Sequence, residues 1–278
     1  MRNSITDRVT LHNGVEMPWF GAGVFKVEQD VTARVVRDAL QSGYRMIDTA
    51  SIYGNEQGVG DGLRESGVDR KDIFLTTKLW RHAHDEQEIF DQFDESLRLL
   101  QTEYVDLYLI HWPKPMFDQY VATWKAIEKI YKSGRARAIG VSNFNIPHLE
   151  RLAAECEIVP MVNQIEFHPY LVQTDLQQYL QAHNIVLEAW SPLAKGRILT
   201  DPAILGLAAK YGRTPVQVVL RWDMQKGIVT IPKTLTRERM IDNADLFGFS
   251  LSETDMTLID RLDCHLRTGP DPDVFDKR

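Results

Sequence analysis

Four side chains of the sequence have the chemistry of a proton-transfer site: Asp48, Tyr53, Lys78 and His111. Asp48, Lys78 and His111 lie at the ends of three short β-rich runs, 45–49, 73–78 and 105–111, and Tyr53 follows Asp48 by five residues. A lysine that loses hydration is costly unless a carboxylate offsets its charge, and Asp48 is the available partner. A tyrosine, with an ordinary pKa of about 10, is a poor acid at neutral pH unless a cation lowers that value. Lys78 is expected to supply the cation for Tyr53. His111 would then orient a carbonyl oxygen against the Tyr53 hydroxyl, an arrangement that protonates a developing alkoxide. Each strand-end group alone reads as a capping or solvated side chain; their joint occurrence carries the expectation. Such chemistry also needs a hydride.

These groups must be brought together by the elements that carry them. Eight β-rich runs, at 20–23, 45–49, 73–78, 105–111, 136–142, 161–166, 186–190 and 228–232, alternate with segments whose apolar residues recur at helical spacing. Ile89, Phe93, Leu97 and Leu100 are one such set. Strands separated by a helix run parallel, and eight βα units close a barrel whose active face is built from the loops after the strands. The expectation is therefore an α/β fold, a (β/α)8 TIM barrel formed by residues 1–278 as a single domain. Residues 9–11 and 15–17, joined through Asn13-Gly14, read as a hairpin with a two-residue turn that caps the barrel bottom. Ser252 before Glu253 and Asp255 starts an extra C-terminal helix over 253–262. The two prolines and one glycine of 267–273 then make a loop over the surface.

Composition narrows the remaining classes. With 278 residues, 44% hydrophobic and 26% charged, the chain can bury about three quarters of its unfolded surface, which excludes disorder, collagen and coiled coil. A formal net charge of −7 gives no reason to expect nucleic acid. No apolar run approaches the ~18 residues of a membrane span, and the segment 1–10 is polar, so a cytoplasmic protein with no membrane partner is the default. Nothing demands more than a monomer. Cys156 and Cys264 form neither CxxC nor a zinc spacing and read as buried or half-buried thiols. His82 and His84 read as a solvated loop rather than a metal pair, and no metal is expected. Gly58, Gly60 and Gly62 are spaced GxGxG rather than GxGxxG, so they read as helix-packing or helix-surface glycines.

One basic feature stands apart. Lys233 and Thr234 end the eighth run, with Arg237, Arg239 and Asn243 at the following helix start, where barrels of this kind often bind phosphate. Together with residues 43–50 (GYRMIDTA), 53–56 (YGNE), 77–80 (TKLW), 109–113 (LIHWP), 140–144 (GVSNF), 163–166 (NQIE) and 231–234 (IPKT), the chain resembles the aldo-keto reductases over nearly its whole length. The likeness is greatest to short bacterial members such as glyoxal or methylglyoxal reductases and 2,5-diketogluconate reductases, and the tail 269–273 shares it. The resemblance implies NADPH-dependent reduction of aldehydes and ketones to alcohols, with Tyr53 as general acid, Lys78 and Asp48 tuning it and His111 positioning the carbonyl. It implies cofactor contacts from Ser142, Asn143 and Gln164 around the carboxamide and from Trp190 on the nicotinamide ring. Ser191 and Leu193 would hold the pyrophosphate stretch, Lys233, Thr234 and Arg239 the 2′-phosphate, and Asn243 the adenine.

Departures from the family pattern are few. Thr234 replaces a common serine, Asp242 a glutamate, Val24 a threonine and Phe25 a tryptophan; the short segment 194–200 predicts a looser hold on the cofactor. Phe25, Trp80 and Trp112 would wall an aromatic pocket for small dicarbonyls, aromatic aldehydes or keto sugars, with no further cation to demand an anionic substrate. Two other functions compete. A desolvated Lys78 could act as a Schiff-base nucleophile, which Asp48 opposes by keeping it charged. The chain could also be a non-catalytic sensor that binds NADPH and regulates a partner, against which the complete tetrad counts.

Overall fold

In the computed structural model, which describes residues 4–83 and 85–277, the chain begins with an antiparallel hairpin of β1 (Arg8–Thr10) and β2 (Glu16–Pro18). Its loop holds three residues rather than two. Leu11 N donates to Val15 O at 2.8 Å and Gly14 N to Leu11 O at 2.8 Å, with Gly14 at φ +87°. A type I turn closed by a left-handed glycine satisfies the strand twist as well as the two-residue form does, and shifts the pairing register by one. The hairpin covers the bottom of the barrel, where Asn13 Nδ2 donates to Arg137 O at 2.9 Å.

Eight parallel strands follow: β3 (Ala22–Gly23), β4 (Met46–Asp48), β5 (Phe74–Leu79), β6 (Val105–Ile110), β7 (Ala136–Ser142), β8 (Val162–Glu166), β9 (Val186–Trp190) and β10 (Val229–Thr230). They pair in chain order, and Phe20 bridges to Thr230 so that the sheet closes on itself as a (β/α)8 barrel. All residues of β5 and β6 are buried, as strands covered on both faces must be. Around them lie α1 (Gln29–Gln41), α2 (Glu56–Ser66), α3 (Glu86–Leu100), α4 (Tyr120–Lys132), α5 (Ile146–Glu155), α6 (Thr174–Ala182), α7 (Pro202–Tyr211), α8 (Pro215–Lys226) and α9 (Arg237–Ala244). The added C-terminal helix, α10 (Glu253–Asp260), is capped as the sequence requires, Ser252 Oγ accepting from Asp255 N at 3.2 Å. No helix among the described residues is long and apolar enough to cross a membrane.

Several loop expectations need correction. The tail does not merely lie over the surface. Glu166 at the end of β8 accepts from Thr268 N at 2.7 Å and Gly269 N at 3.0 Å, and Phe275 beyond it is buried. His82 is not solvated: its Nε2 lies 2.7 Å from Trp112 O, and burial pushes its pKa down to about 4. His84 falls outside the described residues. Cys156 is half-buried as expected, but Cys264 is exposed.

The glycines of α2 are packing glycines. A Cβ on Gly60 would lie 2.8 Å from the Leu100 carbonyl, and one on Gly62 would lie 2.6 Å from Ala33 O. Helix α2 is thus wedged between α1 and the end of α3. Gly206 in α7 has nothing within 4 Å of the added atom. Gly60→Ala should therefore cost about 1–3 kcal/mol through overpacking, whereas Gly206→Ala should gain up to about 1 kcal/mol of helix propensity. Melting temperatures of the two variants moving in opposite directions would bear this out; a neutral Gly60→Ala would contradict it.

Candidate active site

Asp48, Lys78 and His111 arrive at the same end of the barrel because they stand at or just past the C-terminal ends of the neighbouring strands β4, β5 and β6. Lys78 is wholly buried and donates to Asp48 Oδ1 at 2.6 Å, Asp48 Oδ2 at 2.8 Å and Thr49 O at 2.8 Å. Burial alone would weaken the ammonium, but the carboxylate beside it outweighs that effect and holds the pKa above the usual lysine value. An amine so protonated and so fully bonded is no free nucleophile, which removes the basis for Schiff-base chemistry.

Tyr53 ends a single 3-10 turn, Ser51–Tyr53, and its position follows from the bonds on either side of it. Ser51 Oγ donates to Lys78 O at 3.0 Å, and buried Asn55 donates to Val24 O at 2.9 Å and Val27 O at 3.1 Å. The Tyr53 hydroxyl thereby comes 3.5 Å from Lys78 Nζ, and its ring sits 5.6 Å from that of His111 at 73°. Here one expectation fails in sign. Lys78 does pull the phenol down, but burial dominates and pushes Tyr53 up to about 12. The phenol therefore keeps its proton across the ordinary pH range. Burial, aided by Lys78 and Lys114, holds His111 well below the usual histidine value, so it is a neutral imidazole.

A second set of polar groups continues the cluster. Gln164 on β8 donates through Nε2 to Asp48 Oδ2 at 2.8 Å and to Glu188 Oε2 on β9 at 2.9 Å, which leaves its side-chain oxygen Oε1 without a described partner. Both neighbours of Nε2 are carboxyls, so the orientation of the amide is fixed by the network. Ser142 Oγ donates to Gln164 O at 2.8 Å, and Asn143 Nδ2 donates to His111 O at 2.9 Å. Trp190 closes the set, its Nε1 donating to Asn143 Oδ1 at 2.8 Å. Asn143 and Ser191 hold left-handed backbone at φ +64° and +52°, a strained state for residues that are not glycine. Leu193 follows in the loop after β9, where Gly196 N donates to its carbonyl at 2.7 Å.

The basic residues after β10 form a separate patch. Lys233, Arg237 and Arg239 are exposed, and none has an acidic partner among the described residues. Thr234 is half-buried beside them and Asn243 is buried in α9. No group of three His, Cys, Asp or Glu side chains arranged to hold a metal ion occurs among the described residues.

The aromatic wall is larger than the three residues that the sequence suggests. Phe25 lies 4.9 Å from Tyr53 and Trp80 lies 5.3 Å from His111, ring centre to ring centre. Among the described residues Trp112 meets the others through Phe275, which stacks on it at 4.2 Å and meets Trp80 edge-on at 6.0 Å. Phe275 was not legible because the tail has no periodicity; a lone aromatic in an otherwise polar terminus was the one available signal. Gly269 approaches Trp190 so closely that a Cβ there would lie 2.4 Å from Cη2. Glu188 was missed as well, although a glutamate amid the apolar residues of β9 is an anomaly for a strand buried on both faces.

Comparison with known proteins places this geometry among reductases. The model of the aldo/keto reductase family matches residues 19–263. The glyoxal reductase of Bacillus subtilis (strain 168) is 52% identical over 98% of this chain and 99% of its own. A methylglyoxal reductase DkgA of Yersinia pestis is 45% identical over 96% of each chain. Among solved structures, a Gox0644 mutant in complex with NADPH superposes with a TM-score of 0.93 at 45% identity, covering 99% of both chains.

Glu188 gives the site a pH signature. Burial, then the charge of Asp48, push its carboxyl from 4.5 up to about 8. The folded chain keeps a proton there that the unfolded chain releases, so stability falls as pH rises from about 4.5 towards 8. Glu188→Gln removes that loss. Its melting temperature relative to the parent protein should therefore rise steadily between about pH 5 and pH 8. Parallel curves for the two proteins would show that Glu188 is not the group that titrates.

Proposed function

This chain belongs to the aldo/keto reductase family, and we propose that it reduces aldehydes and ketones to alcohols with NADPH as hydride donor and Tyr53 as general acid. The observation that carries the acid assignment is the Tyr53 hydroxyl held 3.5 Å from an ammonium that Asp48 keeps charged. A phenol with its pKa near 12 holds its proton until a stronger base forms beside it. An alkoxide developing on a carbonyl oxygen is such a base. The proton then moves from Tyr53 Oη to that oxygen, and Lys78 stabilises the phenolate left behind until solvent restores the proton. Neutral His111 can donate one N–H to the same oxygen and so fix which face of the carbonyl is presented.

The residues suit a dinucleotide with a 2′-phosphate, which when bound supplies the hydride. Lys233, Arg237 and Arg239 are unpaired cations at the start of α9, where backbone amides add to their field. The side-chain oxygen of Gln164, without a described partner and with Ser142 and Asn143 beside it, suits an amide donor. Trp190 offers a half-buried indole next to these groups. We assign Ser191 and Leu193 to the pyrophosphate stretch, Thr234 to the 2′-phosphate and Asn243 to the adenine, as the family pattern implies. Small dicarbonyls such as methylglyoxal, aromatic aldehydes and keto sugars form the candidate substrate range, supported by the glyoxal and methylglyoxal reductases among the relatives.

The test follows loss of absorbance at 340 nm with NADPH and a panel of methylglyoxal, glyoxal, 4-nitrobenzaldehyde and a keto sugar acid. Tyr53→Phe should lower turnover by about 10²–10⁴-fold, the size of a lost general acid, while NADPH still binds with little change. Full activity in that variant would remove Tyr53 from its role; NADPH binding without turnover in the parent protein would favour a sensor. Arg239→Ala should raise KM for NADPH about tenfold or more, the loss expected of a charge-assisted bond, with little effect on NADH. An equal rise for both cofactors would show that Arg239 does not read the phosphate.

A further inference from the structure

Two lysines are buried among the described residues, and they differ in one respect. Lys78 is bonded to Asp48, whereas Lys114 has no carboxylate partner among the described residues. Lys114 stands in the loop after β6, three residues beyond His111, with 3% of its surface exposed. Its ammonium carries three N–H donors and uses one, to Trp80 O at 2.9 Å. It also lies 4.1 Å from the centre of the Trp80 ring. The backbone there is left-handed, φ +45° and ψ +60°, which a lysine adopts at a cost.

A cation withdrawn from water without a counter-ion is an unfavourable feature for a fold to keep. Its surroundings indicate what could offset it. Trp80 meets the His111 ring at 5.3 Å, and His111 meets the Tyr53 ring at 5.6 Å, so Lys114 stands at the outer end of a row of rings that begins at the proton donor. Its charge is felt at His111, where it adds to the forces that keep the imidazole neutral. Burial draws the Lys114 pKa down to about 8, so the group remains mostly cationic at neutral pH. Nothing in the sequence singles out this lysine, because HWP followed by lysine looks like an ordinary loop.

We propose that Lys114 is an anion-recognition residue of the substrate pocket, and that the preferred substrates are aldehydes or ketones bearing a carboxylate about one aromatic ring away from the carbonyl. The proposal rests on the carbonyl-reductase reading and narrows its substrate class. A carboxylate at that distance accepts the ammonium donors that Trp80 leaves unused, while the intervening ring lies along the aromatic wall of Trp80, Trp112 and Phe275.

The test compares 4-carboxybenzaldehyde with its methyl ester, which presents the same aldehyde without the charge. The parent protein should give the higher kcat/KM with the acid, through KM, and added salt should narrow the difference. Lys114→Met should lower the acid-to-ester ratio of kcat/KM about tenfold or more, and Lys114→Arg should restore most of it. Titration of terephthalate, which cannot be reduced, into the NADPH-loaded protein reads the same contact without turnover. It should bind at least about tenfold more weakly to Lys114→Met. No preference for the acid in the parent protein, or equal terephthalate binding to both proteins, would overturn the proposal. Failure to reduce either aldehyde would count against the reductase reading instead, and the terephthalate titration would still decide the role of Lys114.

Discussion

A lysine buried inside a barrel mouth is tolerable only with a counter-charge in contact, and the Lys78–Asp48 pair meets that constraint across two adjacent strands. Removing either partner leaves an uncompensated buried ion, which costs about 3–5 kcal/mol. The pair is also the centre from which other groups take their places. Asp48 Oδ2 accepts from Gln164 on β8, and Gln164 donates in turn to Glu188 on β9. One carboxylate therefore connects strands that are remote in the sheet by reaching across the barrel interior. Because Lys78 uses its donors on Asp48 and Thr49, only the long contact to Tyr53 remains for modulation. That is why its effect on the phenol is a moderating one, smaller than that of burial.

Closure of the barrel divides the mouth by strand. Strands β4 to β6 and the loops after them carry Asp48, Tyr53, Lys78 and His111, β7 to β9 carry the amides and the indole, and the cations follow β10. Since Phe20 pairs with Thr230, the last sector lies next to the first, and the basic patch after β10 adjoins the start of the barrel where Val24 and Phe25 stand. Polar groups that are sequence-distant are then mutually satisfied: Asn143 after β7 bonds both to the His111 carbonyl after β6 and to Trp190 at the end of β9. The left-handed backbone at Asn143 is consistent with a side chain held by such bonds on both sides.

What the sequence made legible and what it hid follow one physical division. The eight strands were readable because covered strands are apolar runs of fixed length, and the tetrad was readable because strand order fixes which ends are neighbours. Asp48 as partner of Lys78 follows from electrostatics alone. The sign of the Tyr53 shift does not, because burial depth is a property of the folded chain. Glu188 was visible as an anomaly in β9 but had no interpretable role until Gln164 stood beside it. The hairpin loop shows the limit of turn chemistry: Asn13-Gly14 fits both a two-residue turn and the three-residue loop, and packing of Leu11 and Met17 beneath the barrel is compatible only with the observed register.

The tail was the least legible segment, and its physics explains why. It has no repeat that could be read, and its position depends on partners formed far away, among them the carboxylate of Glu166 and the carbonyl of Tyr170, which accepts from Leu266 N at 3.0 Å. That carboxylate takes bonds from Thr268 N and Gly269 N and lies 3.2 Å from His168 Nε2, and these contacts hold its pKa below the usual value despite burial. With the chain pinned there, two consequences are forced by length alone. Gly269 must pass over the edge of Trp190, where no side chain fits, and Phe275 six residues later reaches Trp112 and Trp80. Asn145 adds a second hold through Asp273 at 2.7 Å. Glu166 and Asn145 together therefore bring Phe275 onto Trp80 and Trp112, so the shape of this aromatic wall is decided by contacts that span more than a hundred residues of chain.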